Sequence, residues 1–238
     1  LHKYTIQNAI RDKAVLGFQV EHNGPKNMVD ETDTDVYDNE AHMLKVIDVI
    51  LNKSYYKLGF QNGKGMTYEG MLTASSIQMA QKYYDLIKKV KNGETSVKID
   101  DKIKQVLPDF PKFAITYSVT ENEEGSHVNQ QKMQQSLDDY NEMFGTKYDI
   151  SQIQSYNSNL NKRLARKDAK FQSRNEQLDL VIVVDRLLTG FDAPCMSTIF
   201  IDRQPMGAHD LIQAFSRTNR IFNEHKTYGQ VVTFQAPV

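Results

Sequence analysis

Residues 178–185 read Leu-Asp-Leu-Val-Ile-Val-Val-Asp. From Leu180 to Val184 the run is unbroken and apolar, and four of its five residues are β-branched. β-Branched side chains favour a strand, and a strand with no polar face suits a central position covered on both sides. Similar apolar segments recur at Val15–Val20, Gly70–Ala74, Lys112–Val119, Ser197–Ile201 and Gln230–Phe234. Between them lie amphipathic stretches. Met43, Val46, Ile47, Ile50 and Leu51 predict a helix from Ala41 to about Leu58, and another follows from Ile77. Two more fill 129–144 and about 150–173, and one spans His209–Ile221. Residues 92–111 read as a polar connection ending in Pro108 and Pro111. Strands alternating with helices predict an α/β fold around a largely parallel sheet.

The 238 residues suit one large α/β domain or two small ones. With 39% hydrophobic and 25% charged residues, the chain is not collagen-like, mucin-like or wholly disordered. A net charge of −1 supplies no global field for nucleic acid, so any such surface must be a local patch. One cysteine, Cys195, excludes a disulfide framework and a cysteine-built zinc site. No apolar run approaches the roughly 18 residues of a membrane span. The opening Leu-His-Lys-Tyr-Thr-Ile has neither a signal-peptide pattern nor an initiator Met, so the expectation is a cytoplasmic piece of a longer chain. Residues 21–48 carry eight acids and two bases, and 23–40 are expected to form a loop or insertion.

Open parallel sheets place working residues at the carboxyl ends of strands, so the residues after Val181–Asp185 are the first place to look. Gly190 permits a tight turn and close ligand approach, and Asp192 can accept from a ribose hydroxyl or a metal-bound water. A plain strand-to-loop turn capped by Asp192 fits the same residues. On a helix over 209–221, Leu211, Phe215 and Phe222 share one face, while Gln213, Arg217 and Arg220 share the opposite one. Two guanidiniums on one strip suit phosphate oxygens and charge developed in phosphoryl transfer. A solvated helix face, or a surface pair between Arg220 and Glu224, is the open alternative.

Leu187-Leu188-Thr189-Gly190-Phe191-Asp192-Ala193-Pro194 resembles motif V of the R (motor) subunit of type I restriction enzymes. Gln213-Ala214-Phe215-Ser216-Arg217-Thr218-Asn219-Arg220 resembles motif VI, Q-x-x-x-R-x-x-R, of superfamily 2 helicases. Leu1–Ile10 with Val15–Phe18 is similar to the stretch after motif III, and Met71–Ala80 to the motif IV region, where Ile77 stands in place of the more usual Arg. The resemblance implies a RecA-like, three-layer second motor domain over 1–238. It would work in an ATP-dependent type I site-specific deoxyribonuclease that couples ATP hydrolysis to translocation along double-stranded DNA. Arg217 and Arg220 would be the arginine finger, Gln213 would orient them, and Gly190 and Asp192 would lie at the ATP. Thr189, Ser75 and Ser76 would touch the DNA backbone. ATP and Mg2+ would be held mainly by a first RecA-like domain, and the modification and specificity subunits would be partners. A different superfamily 2 translocase, or a non-motor nucleotide- or DNA-binding α/β module, is the alternative.

No G-x-x-x-x-G-K-[ST] loop is present, and Gly63-Lys64-Gly65 does not supply one. Asp30-Glu31-Thr32-Asp33 follows no strand, and no nuclease core is visible, so this segment alone is predicted neither to hydrolyse ATP nor to cut DNA. Residues 160–174 hold six bases against Asp168. At helical spacing, Arg163, Arg166, Lys167, Lys170 and Arg174 form either a phosphate grip or a solvated basic face. The six histidines lack metal-ligand spacing, and Cys195 reads as a packed small side chain.

Overall fold

The computed structural model describes residues 5–24, 39–118, 126–184, 192–203, 212 and 215–235. Most of the expected 23–40 loop, together with Thr189, Gly190 and Gln213, lies outside them. Six strands form one sheet: β1 (Gly17–His22), β2 (Glu69–Ala74), β3 (Phe113–Thr116), β4 (Leu180–Val183), β5 (Met196–Asp202) and β6 (Tyr228–Thr233). Their spatial order is β1-β6-β5-β2-β4-β3, and every neighbouring pair is parallel. The apolar run at 180–183 is an interior strand, between β2 and β3.

Side chains alternate between faces along a strand. Every residue of β2, β3, β4 and β5 is nevertheless buried, so both faces of this part of the sheet are covered. The α-helices bounded among the described residues are α1 (Ile6–Arg11), α2 (Glu40–Asp48), α3 (Ile77–Asn92), α4 (Asp101–Val106), α5 (Ser126–Phe144) and α6 (Ile153–Ala165). Right-handed crossovers put α2 and α3, whose connections move one way across the sheet, on one face. The same rule puts α5 and α6, on the returning connection from β3 to β4, on the other. The expected α/β class, helices around a parallel central sheet, is the fold adopted. No helix among the described residues is long and apolar enough to cross a membrane.

Met43, Val46, Ile47, Ile50 and Leu51 are all buried, as their spacing predicts. The helix they mark is shorter than expected. After Asp48 it widens into a π-helical turn, Val49–Lys53, and the Ser54 hydroxyl then donates to the Val49 carbonyl at 2.8 Å. α4 interrupts the expected polar connection; with Ile103 as its one buried residue it is too short to show a period. α3 starts at Ser76, whose Oγ accepts from the Met79 amide at 3.1 Å, and stops at Gly93, which takes the left-handed conformation at φ 78°. Replacing Ser76 by Ala is expected to cost about 1 kcal/mol, read from the urea midpoint of the chain.

α6 ends eight residues before the expected helix does. Arg166 follows it in the left-handed conformation, φ 48°. Three buried contacts hold this unusual backbone: Arg166 Nε to Glu69 Oε1 at 2.9 Å, Nη1 to the Thr67 carbonyl at 2.7 Å, and Nη2 to the Leu178 carbonyl at 3.0 Å. The continuous basic helical face therefore does not exist. Arg163 is 1% exposed, binding Glu176 at 2.6 Å with its guanidinium 3.6 Å from the Phe144 ring centroid. Arg174 is buried between Asp109 and Asp179. Arg163 and Arg166 thus spend their guanidiniums inside the fold, and neither can grip a phosphate at the surface.

Candidate functional site

Asp192 opens the short segment leading into the amino end of β5. Its Oδ2 accepts from Lys167 Nζ at 2.8 Å, and its Oδ1 lies 3.6 Å from Arg220 Nη1. Oδ1 is buried and has no hydrogen-bond partner among the described residues. The Lys167 hydrogen bond, aided by the charges of Arg220 and Arg217 and opposed by burial, holds the Asp192 carboxyl below the usual carboxylate range. Burial and the like charge of Arg220 pull Arg217 below the ordinary guanidinium value. One carboxylate thus sits among two guanidiniums and an ammonium, and this edge keeps an excess of positive charge suited to an anion.

Arg217 is helical, in a stretch whose described residues are Ile212 and Phe215–Thr218, and Phe215 stacks on Phe18 of β1 at 4.7 Å between ring centroids. Arg220 lies beyond the end of that helix, so helical spacing is not what brings it to the site. Asn219 is tied instead to the amino end of β1, where the Leu16 amide donates to its carbonyl at 2.7 Å. Thr218 presses on the start of β6, where a Cβ on Gly229 would come within 2.7 Å of the Thr218 carbonyl carbon. Phe222, expected on the buried face, is 39% exposed.

These contacts correct the expected location. Asp192, Arg217 and Arg220 do come together, but along the amino-terminal edge of the sheet rather than beyond its carboxyl ends. Parallel strands require the chain to cross the full sheet between β4 and β5, so a motif that starts after one strand finishes before the next. Ser75 and Ser76 do lie at a carboxyl end, that of β2; Ser75 is exposed and Ser76 half-buried. Lys167 joins Asp192 rather than a basic stripe, and exposed Lys170 sits between α6 and the amino end of β4. The expected DNA-contacting set is thereby divided between opposite edges.

Behind the edge lies a buried polar cluster with no counterpart in the sequence reading. Burial pushes the Glu69 carboxyl up to about 7 against the pull of Arg166. It also pushes the Cys195 thiol up; that thiol donates to the Leu164 carbonyl at 3.0 Å and is, as expected, a packed small group. Burial lowers the Lys226 ammonium to about 8. No periodicity marks Glu69 or Lys226, since each owes its burial to residues distant in sequence. A raised carboxyl pKa means that the folded chain binds more protons than the unfolded one between about pH 4.5 and 7. Glu69 therefore contributes stability at low pH that is lost as pH rises through 7. Glu69→Gln is expected to flatten that fall in thermal unfolding followed from pH 5 to 8.

The profile for type I restriction enzyme subunit R domain 3 matches residues 66–236. The endonuclease subunit of a type I restriction enzyme from Staphylococcus aureus (strain COL) is 30% identical over 99% of this chain and 24% of its own length. A second, from Staphylococcus saprophyticus, is likewise 30% identical with the same coverage of both chains. The chain thus spans about a quarter of the curated relatives it matches. A solved fragment named as an HsdR subunit of a type I restriction enzyme from Vibrio vulnificus YJ016 shares the fold, with TM-score 0.54, 9% identity, and coverage of 99% of this chain and 35% of that one. With the profile covering most of its length, the chain belongs to the family of type I restriction enzyme subunit R domain 3.

Proposed function

We propose that this chain is the second RecA-like motor domain of an R subunit, and that it helps couple ATP hydrolysis to movement along double-stranded DNA. The observation that carries the reading is the approach of Arg220 to Asp192, 3.6 Å apart on the sheet's amino edge, with Arg217 and Lys167 beside them. MgATP, when bound, supplies a γ-phosphoryl group for transfer to water. The residues present fit such a ligand. Asp192 Oδ1, with no hydrogen-bond partner among the described residues, suits a ribose hydroxyl once Arg220 turns from it, and Arg217 and Arg220 suit the phosphate oxygens. Arg220 is exposed and held by one carboxylate at longer than hydrogen-bond distance, so it can exchange Asp192 for a phosphate at small cost. Lys167 keeps Asp192 neutralised during that exchange. Thr189, Gly190 and Gln213 belong to the same proposal by their place in the two motifs.

Ser75 and Ser76 are the proposed DNA-backbone contacts. Ser76 Oγ accepts from the Met79 amide, which leaves its hydroxyl proton for a phosphate oxygen. β2 separates these serines from the amino edge by six residues, about 20 Å of rigid strand. A cleft closing on nucleotide at one edge would thus move the DNA grip at the other. Mg2+, most of the ATP site and the nuclease are assigned to other parts of the subunit, and the modification and specificity subunits to its partners. The test is DNA-stimulated ATP turnover by full-length subunit carrying Arg220→Ala or Arg217→Ala. Loss of turnover with folding intact supports the motor, and unchanged turnover for both variants rejects it.

A further inference from the structure

Lys226 lies just before β6 and is 3% exposed. Its Nζ donates to the Pro194 carbonyl at 2.6 Å and to the Arg220 carbonyl at 2.9 Å. Pro194 stands two residues after Asp192, so one ammonium joins the backbones of the two segments that form the site. Lys226 is itself fixed. Its amide donates to Asn223 Oδ1 at 2.9 Å, and the same oxygen accepts from the Tyr68 hydroxyl at 3.1 Å. The charged and titratable groups around it are Glu69 at the start of β2, Cys195 just before β5, and Arg220 on its own connection. No carboxylate lies within hydrogen-bond distance of Nζ among the described residues. Burying a charge against carbonyls alone is costly, and an apolar residue would fill such a place more cheaply. Its distinctive contribution is the geometry it imposes on two chain segments that make no other described backbone hydrogen bond to each other.

We propose that Lys226 is a positioning residue, clamping the Asp192 and Arg220 segments together so that the Arg220 guanidinium is presented at the amino edge. This rests on the reading of Arg220 as the arginine that meets the phosphates. Lys226 reaches no nucleotide and acts through Arg220. Misplacing a catalytic group by about 1 Å can cost on the order of a hundredfold, so loss of the clamp reads out in kcat.

The experiment uses full-length R subunit in its DNA-stimulated ATPase assay, with Lys226→Met, Arg220→Ala and the double variant. Lys226→Met is expected to lower kcat by about tenfold or more while KM for ATP stays within about threefold. In the Arg220→Ala background it is expected to lower kcat no further, because a clamp has no effect once the group it positions is gone. Equal loss in both backgrounds would show a general structural role and overturn the proposal. So would an unchanged kcat for Lys226→Met alone. If Arg220→Ala and Arg217→Ala both leave turnover intact, the motor reading fails and takes the clamp with it; if Arg220→Ala alone is silent, the clamp fails and the motor reading stands on Arg217. If only Lys226→Met is silent, the clamp alone fails. Should Lys226→Met not fold, Lys226→Gln takes its place; its shorter amide cannot span both carbonyls. A few-fold loss of kcat is then expected with Arg220 present and none in its absence.

Discussion

Full-length R subunit carrying Arg220→Ala is expected to lose at least about tenfold in DNA-stimulated ATP turnover, approaching the roughly 10³-fold that an arginine finger contributes in GTPases. The expectation rests on where the guanidinium sits. It is solvent-exposed, faces a site with excess positive charge, and is held by Asp192 at 3.6 Å rather than by a tight bidentate pair. An exposed pair of that kind contributes little to stability, so the variant should fold normally and unfold at an unchanged urea midpoint. Arg217→Ala is expected to act in the same direction. Its guanidinium is half-buried beside Arg220, and removing it takes away both a phosphate ligand and the like charge that destabilises the pair. A variant that loses turnover together with stability would point to a packing role instead. Arg220→Lys separates charge from geometry, since an ammonium keeps the charge without the planar fork and should recover only part of the activity.

Arg166→Met is expected to destabilise the chain by about 3–5 kcal/mol, the loss typical when one partner of a buried ion pair is removed. Arg166 and Glu69 have side chains 3% and 0% exposed, and the guanidinium also satisfies the carbonyls of Thr67 and Leu178. Without it, a buried carboxylate and two carbonyls lose their donors, and a non-glycine residue is left in a left-handed backbone that nothing holds. Unfolding in urea reads the loss. Arg166→Met with Glu69→Gln should be milder than Arg166→Met alone, because an amide has neither to stay ionised nor to take up a proton in the interior. Equal costs for the single and double variants would mean that the ion pair is not what the site depends on. On the proposed reading these two arginines divide the labour of the basic residues: Arg220 is cheap to the fold and serves the chemistry, and Arg166 the reverse.

The strands and most helices were legible in the sequence because they rest on local regularities. An apolar run at 180–184 admits few structures other than a covered strand, and Met43, Val46, Ile47, Ile50 and Leu51 repeat at helical spacing whatever lies around them. The two motif segments were legible as well, since their residue types and spacing stand in the chain itself. Helix ends were less so. Extending this helix to about residue 173 used periodicity alone, whereas the chain leaves the helix at Arg166, whose guanidinium Glu69, 97 residues earlier, binds in the interior.

The α/β class, the parallel sheet and the family were written in hydrophobic period and motif, properties carried by neighbours along the chain. Which basic side chains face solvent, which edge of the sheet holds Asp192 with Arg220, and why Lys226 matters came from folding. Each depends on the burial of a charge, and the cost of burial is set by partners that the fold brings together from far along the chain.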